Sequence, residues 1–222
     1  MVGMTLTLWF IAIILAYIIG SIPFGVILAS MKGVNIREEG SKNIGATNVW
    51  RVLGKQYGIT CFVLDVSKGA VPVYLAGNFA GIAGKTLGSY PETELWLWLG
   101  VALAPCFGHM YSFFLKFQGG KGVATTLGCM LGLYPLLTLP VLAVFLCWIF
   151  ALYVSKIVSG ASVIAAILLP FATYFHLESA GLLQSWPVVS LSTLIALFVV
   201  WKHRSNISRI AKGAEPRINP RR

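Results

Sequence analysis

Residues 6–30 read LTLWFIAIILAYIIGSIPFGVILAS, a run without a single charge. A helix rises 1.5 Å per residue and needs about 20 apolar residues to cross a hydrocarbon core of about 30 Å. This run meets that length. No basic segment precedes it, and it is too long for the apolar part of a signal peptide ending at a small-residue cleavage site, so it reads as a retained first span. Further apolar segments follow at 58–82, 95–115, 123–134, 136–154, 158–175 and 187–201. The expected fold is therefore an all-α, polytopic transmembrane helix bundle of about seven spans. The segments at 123–134 and 187–201 are short for full crossings, and 123–134 suits a tilted or partly re-entrant helix, so five spans is the alternative.

Composition agrees. Of 222 residues 57% are hydrophobic and only 11% charged, with a mean hydropathy of +0.81, whereas a soluble domain carries about 25% charged residues. The net charge of +10 would raise the question of nucleic acid in a soluble protein. Here it follows the positive-inside rule, and no nucleic-acid partner is expected. With the N-terminus outside, the inner loops collect Lys32, Arg37, Lys42, Arg51, Lys55, Lys116, Lys121 and Lys156. The tail from about residue 202 adds Lys202, Arg204, Arg209, Lys212, Arg217, Arg221 and Arg222. The outer loops hold Lys85 beside Glu92 and Glu94, and the Glu178 loop has no basic residue. This asymmetry sets the N-terminus out and the C-terminus in. No internal repeat is visible, so residues 1–222 read as one membrane domain with a basic cytoplasmic tail. Cys61, Cys106, Cys129 and Cys147 all lie in apolar stretches without ligand-spaced neighbours. They read as buried free thiols, with neither disulfide nor metal site expected.

Three polar segments carry the chemistry. The first is Gly40-Ser41-Lys42-Asn43-Ile44-Gly45-Ala46-Thr47-Asn48-Val49-Trp50-Arg51. Its glycines permit close backbone approach to an anion. Ser41, Thr47 and Asn48 supply donors, and Arg51 has the fork that grips two phosphate oxygens. Composition alone fits an ordinary polar turn equally well. The second is Phe117-Gln118-Gly119-Gly120-Lys121-Gly122-Val123-Ala124-Thr125, a glycine run opening an apolar helix. Unpaired helix N–H groups and Lys121 suit a phosphate, while the spacing is not that of a P-loop. The third is Trp201-Lys202-His203-Arg204-Ser205-Asn206-Ile207-Ser208-Arg209, followed by Gly213-Ala214-Glu215. If the last helix continues through it, His203 and Asn206 share a face one turn apart. A basic tail on anionic lipid explains the charge but does not call for the His and Asn. Within the apolar segments, Asp65 and Lys68 are one turn apart and can pair, with mutual neutralisation their first role. His109 reads as a hydrogen-bonded packing residue.

Together with Gly20-Ser21-Ile22-Pro23-Phe24-Gly25, Asp65-x-x-Lys68-Gly69 and Gly108-His109, these segments have the order and spacing of one family. The chain resembles the bacterial acyl-phosphate:glycerol-3-phosphate acyltransferases from its first span to Glu215. The resemblance implies a compact bundle in the bacterial cytoplasmic membrane. Its activity would be transfer of a fatty acyl group from acyl-phosphate to the sn-1 hydroxyl of glycerol 3-phosphate, giving lysophosphatidic acid without a cofactor. It implies that Ser41 and Arg51 are required for activity, together with His203 and Asn206. Gly119, Gly120, Lys121 and Gly122 would bind glycerol 3-phosphate, with Gly40, Asn43, Gly45, Thr47 and Asn48 around the substrates. Glu215 would be structural, as Asp65 and Lys68 are on their pairing. The substrates, membrane lipid and functional coupling to the acyl-phosphate-forming enzyme are the implied partners. Lys42 stands where the family usually has Gly, and Tyr111-Ser112 replaces a common aromatic-Pro pair. A transporter for phosphorylated anions is the main rival. It calls for polar sites near mid-membrane and repeat symmetry, whereas these candidates gather at one face. A structural adaptor leaves the three phosphate-friendly segments without a purpose.

Overall fold

A computed structural model describes residues 4–86, 88–182 and 186–218, and every regular element among them is helical. Contacts divide the chain into two compact units, Met1–Leu136 and Leu137–Arg222.

In the first unit α1 (Leu6–Ser21) starts at Thr5, whose side chain accepts from Leu8 N, and α2 (Phe24–Ser30) continues the span after a break. Pro23 has no N–H, so the ladder of a helix cannot run through it. The carbonyls released there inside the apolar layer need other donors. Lys68 Nζ donates to Ile22 O at 2.8 Å and Ser112 Oγ donates to Ser21 O at 2.6 Å. The Gly20–Gly25 motif is thus a helix break completed by two distant side chains. Next come α3 (Ala46–Leu53), α4 (Lys55–Phe79), α5 (Glu92–Met110) with a 3-10 turn at Phe113–Leu115, and α6 (Val123–Gly132). The pairs α1–α5 and α4–α6 form the main contacts. Small residues let these backbones approach: a Cβ on Gly69 would run into Thr125 O, and one on Gly128 into Val66 O.

In the second unit α7 (Thr138–Ser155) packs on α8 (Val158–Ser179), and α8 on α9 (Trp186–Lys202) and α10 (Arg204–Ala211). Trp148 Nε1 donates to Ser162 Oγ at 3.1 Å across α7 and α8.

Among the described residues five helical segments are long and apolar enough to cross a membrane: Leu6–Ser30, Lys55–Phe79, Glu92–Leu115, Thr138–Ser155 and Val158–Ser179. Trp186–Lys202 qualifies only together with Arg204–Ala211, to which it is bent by 58°. The ten residues of α6 rise about 15 Å, half a hydrocarbon core. Several boundaries also move. The second span starts at Lys55 rather than residue 58, because polar Lys55 and Gln56 continue the helix that hydropathy cut short. Cys61, Cys106 and Cys129 are buried, but Cys147 is exposed. Its helix is apolar all round, so hydropathy gave no means of telling the packed side from the outer one.

Candidate active site

The 40–51 segment is a folded loop built around one side chain. Asn48, on α3, is 1% exposed. Its Oδ1 accepts from Ser41 N at 2.8 Å, and its Nδ2 reaches the carbonyls of Ile36, Glu39 and Asn43 at 3.3, 3.0 and 2.9 Å. Asn43 Oδ1 in turn accepts from Gly45 N at 2.9 Å. The Asn48 amide is therefore committed to the loop. Beneath it Ile36, Ile44, Val49, Ala29 and Cys61 make a small apolar core. Gly40 and Lys42 both have positive φ, +58° and +59°. A lysine in that region is strained and glycine is not, which gives the family's usual Gly a physical reason. Ser41 is exposed, while Thr47 and Arg51, one helical turn apart on α3, are partly exposed. Arg51 has no ion-pair partner among the described residues.

The 119–122 turn is built differently. Gly120 N donates to His109 O at 3.0 Å and Gly119 N to Met110 O at 3.3 Å. A Cβ on Gly119 would strike His109 O, and one on Gly120 would strike the His109 ring at Nε2. These glycines are required by packing against the end of α5, apart from any ligand. Gly122, at φ +81°, is the N-cap of α6, and Lys121 is partly exposed. Arg37 Nη2 donates to Gln118 Oε1 at 2.7 Å and so ties the 40–51 region to this turn within one unit.

Below the turn lies a buried polar cluster. Asp65 Oδ1 is 2.8 Å from Lys68 Nζ, both side chains 2% exposed. His109 Nδ1 is 3.7 Å from the same Asp65 oxygen and 3.2 Å from Thr125 Oγ1. The Asp65–Lys68 pairing expected from spacing is present. What spacing did not reveal is that His109 and Thr125 complete it.

In the second unit, the last helix does not run straight through the third motif. It ends at Lys202, and α10 leaves at 58°. His203 sits at this joint, 2% exposed, with Nδ1 2.7 Å from Val199 O. That contact places a proton on Nδ1, so in a neutral ring Nε2 is the acceptor nitrogen. Asn206, 3% exposed, donates from Nδ2 to Glu215 Oε1. Ser159 Oγ donates to the same oxygen at 2.7 Å, and Arg209 Nε to Glu215 Oε2 at 2.7 Å. Burial alone would push the Glu215 carboxyl up. The hydrogen bonds from Ser159, Asn206 and Arg209, with the Arg209 charge, outweigh it and hold the group below its ordinary value. Glu215 thereby fixes which way the Asn206 amide points. Ser159 opens α8 with no local signal of this role.

These features define the class: a helical integral membrane protein whose polar chemistry is gathered into two organised segments in one unit and a third in the other. The sequence model described as "Glycerol-3-phosphate acyltransferase" matches residues 10–213. Proteins of that description from Fusobacterium nucleatum and Geotalea daltonii are 41% and 43% identical, over 93% and 92% of this chain and 96% and 95% of their own lengths. A solved structure of PlsY (YgiH), described as an integral membrane glycerol 3-phosphate acyltransferase in its glycerol 3-phosphate form, superposes with a TM-score of 0.79 at 37% identity, covering 95% of this chain and 96% of that one. The chain belongs to the glycerol-3-phosphate acyltransferase family, and is an acyltransferase of the membrane.

Proposed function

We propose that the protein transfers a fatty acyl group from an acyl-phosphate to the sn-1 hydroxyl of glycerol 3-phosphate, releasing inorganic phosphate and forming lysophosphatidic acid. The observation that carries this reading is the tie between two cation-bearing polar segments in one unit, the Thr47–Arg51 face and the Lys121 turn, through Arg37 and Gln118. Two phosphorylated substrates call for two such positive, donor-rich surfaces. The charge asymmetry of the loops supports an N-terminus outside and a C-terminus inside the bacterial cytoplasmic membrane, with the whole chain acting as one membrane domain.

An acyl-phosphate is a mixed anhydride and already activated. The glycerol hydroxyl attacks its carbonyl carbon, the bond from that carbon to the phosphate oxygen breaks, and the hydroxyl proton passes to a phosphate oxygen of the donor. No covalent enzyme intermediate is needed; positioning and charge neutralisation suffice. Arg51 and Lys121 neutralise phosphate and Ser41 donates a hydrogen bond. His203 and Asn206 orient the glycerol hydroxyl and phosphate. Gly40, Asn43, Gly45, Thr47 and Asn48 shape one substrate surface, and Gly119, Gly120 and Gly122 the other. Asp65, Lys68 and Glu215 hold these groups in place.

Purified protein in lipid is assayed with labelled glycerol 3-phosphate and acyl-phosphate, acyl-CoA or acyl carrier protein as donor. Lysophosphatidic acid is expected from acyl-phosphate alone, and formation from acyl-CoA alone would exclude the donor. Labelled acyl-phosphate incubated without acceptor and quenched in acid leaves the protein unlabelled. Stoichiometric label on Ser41 or a cysteine would overturn direct transfer. The His203→Gln protein keeps measurable activity, whereas loss of a sole general base costs about 10²–10⁴-fold.

A further inference from the structure

We infer that His109, set in place by Asp65 and Thr125, is a positioning residue for the Gly119-Gly120 turn and, through it, for the phosphate of glycerol 3-phosphate. The inference rests on the proposed function, which assigns that phosphate to the turn. Neither His109 nor its partners touches a substrate in this scheme.

Four observations carry it. The imidazole is 5% exposed, and Thr125 is fully buried. One edge of the ring is fixed by two helices: Nδ1 lies 3.2 Å from Thr125 Oγ1 on α6 and 3.7 Å from Asp65 Oδ1 on α4. Asp65 is itself held by Lys68 at 2.8 Å, and Lys68 is held by the Ile22 carbonyl at the break between α1 and α2. The other edge faces the turn. The three atoms nearest an added Cβ on Gly120 are Nε2, Cδ2 and Cε1 of this one ring. The backbone of the same residue completes the template, since His109 O accepts from Gly120 N at 3.0 Å.

Packing alone does not account for this arrangement. Inside an apolar bundle a carboxylate and a hydroxyl converge on one imidazole, and an ammonium converges on that carboxylate. Each group is costly to desolvate there. Apolar side chains of similar volume would give comparable or greater stability. What the polar cluster supplies is a single ring orientation, referenced to four helices, against which the glycines lie. Lys121 follows directly in the chain. A shift of about 1 Å in the turn displaces both its amides and the lysine, and misplacement of that size costs up to about 100-fold.

The test measures apparent constants for both substrates with the full-length protein in lipid. His109→Ser and the more conservative His109→Asn, which keeps a polar group near the Nδ1 position, are compared with the unsubstituted enzyme. The constant for glycerol 3-phosphate is expected to rise about 10–100-fold with His109→Ser and less with His109→Asn, while that for acyl-phosphate stays within about 2-fold. A second arm uses the ring contact. Gly120→Ala in the native background raises the glycerol 3-phosphate constant about 10-fold or more, but added to His109→Ser it costs no more than about 2-fold further, because the clash has gone. Additive losses would overturn the contact. Equal rises for both substrates, or an unmoved glycerol 3-phosphate constant in an active His109→Asn protein, would overturn the inference alone. Failure of both His109 variants to fold would assign the cluster to the scaffold and overturn it as well. An unsubstituted protein that never acylates glycerol 3-phosphate would remove the underlying reading too.

Discussion

Residues 40–51 carry their own organiser, whereas residues 119–122 borrow theirs. In the first loop one buried amide, Asn48, receives Ser41 N and donates toward three carbonyls of the preceding strand of chain. In the second, the backbone of the turn is held from outside, with Gly120 N donating to His109 O and Gly119 N to Met110 O. The turn lies against the last residues of α5, and its glycines are small because His109 and Met110 leave no room. Sensitivity to substitution should follow this difference. A self-organised loop depends on one side chain and tolerates change around it; a templated turn depends on positions that have no side chain at all.

The largest effect is expected where the templated turn carries its one charge. Lys121→Ala should lose about 2–4 kcal/mol of transition-state binding, the scale for truncating one member of a desolvated charge pair. The loss should appear in the constant for glycerol 3-phosphate and spare that for acyl-phosphate, measured by steady-state kinetics at saturating co-substrate. The reverse pattern would exchange the two phosphate surfaces and break the assignment of turn to acceptor.

Asn48→Ala comes next. It removes a buried group that makes several hydrogen bonds and leaves Ser41 N and loop carbonyls without it, at about 1–3 kcal/mol for the exposed deficit. Its mark should be a lower melting temperature in detergent together with faster proteolysis near residues 36–43. A drop in activity with unchanged melting and proteolysis would mean that the amide serves substrate directly, and the contrast between the two segments would fail.

These expectations separate what sequence could reveal from what it could not. Of the seven apolar runs, those at 123–134 and 187–201 do not reach spanning length alone. The other five fall on segments of that length among the described residues, because length against hydrocarbon thickness is a one-dimensional property. The Asp65–Lys68 pair was legible for the same reason, being fixed by helical spacing. The partnership of His109 with Thr125 and Asp65 was not, since it joins three helices and no local pattern encodes it. Nor was the 58° bend at His203, because no proline or glycine stands at residues 201–206. Glycines 119 and 120 were noticed for the right positions but for ligand approach alone, when the end of α5 already demands them.

In the second unit Glu215 tests whether a remote organiser behaves like Asn48. Glu215→Gln should cost about 1–3 kcal/mol, since it gives up hydrogen bonds to a charged acceptor, and should loosen Asn206. The pH dependence has a defined sign. The folded carboxyl lies below its ordinary value, so the unfolded chain binds the proton more readily. The stabilisation is complete above the ordinary carboxylate range of about 4.3 and is lost as pH falls through the folded value. The gap in melting temperature between native and Glu215→Gln proteins should therefore be constant near neutrality and close only on acidification below about pH 4. A gap that closes on raising pH would assign the effect to another group.

The smallest effect sharpens the comparison from inside the self-organised loop. Lys42 holds φ +59°, a region that costs an L-residue with a Cβ about 1 kcal/mol and glycine almost nothing. Its side chain is exposed, and Lys42 N donates to Glu39 O at 2.9 Å, a bond that glycine keeps. Relief of the local strain is opposed by the greater freedom glycine gives the unfolded chain, roughly 0.5–1 kcal/mol. The two nearly cancel, so Lys42→Gly should change stability by no more than about 0.5 kcal/mol in either direction. Activity is expected to stay within about 3-fold, because Asn48 and not residue 42 fixes the position of Ser41. Thermal melting and kinetics on one preparation read both. A large loss of activity with melting unchanged would show that the Lys42 ammonium takes part in holding a phosphate, and the loop would then resemble the Lys121 turn more closely than its construction suggests.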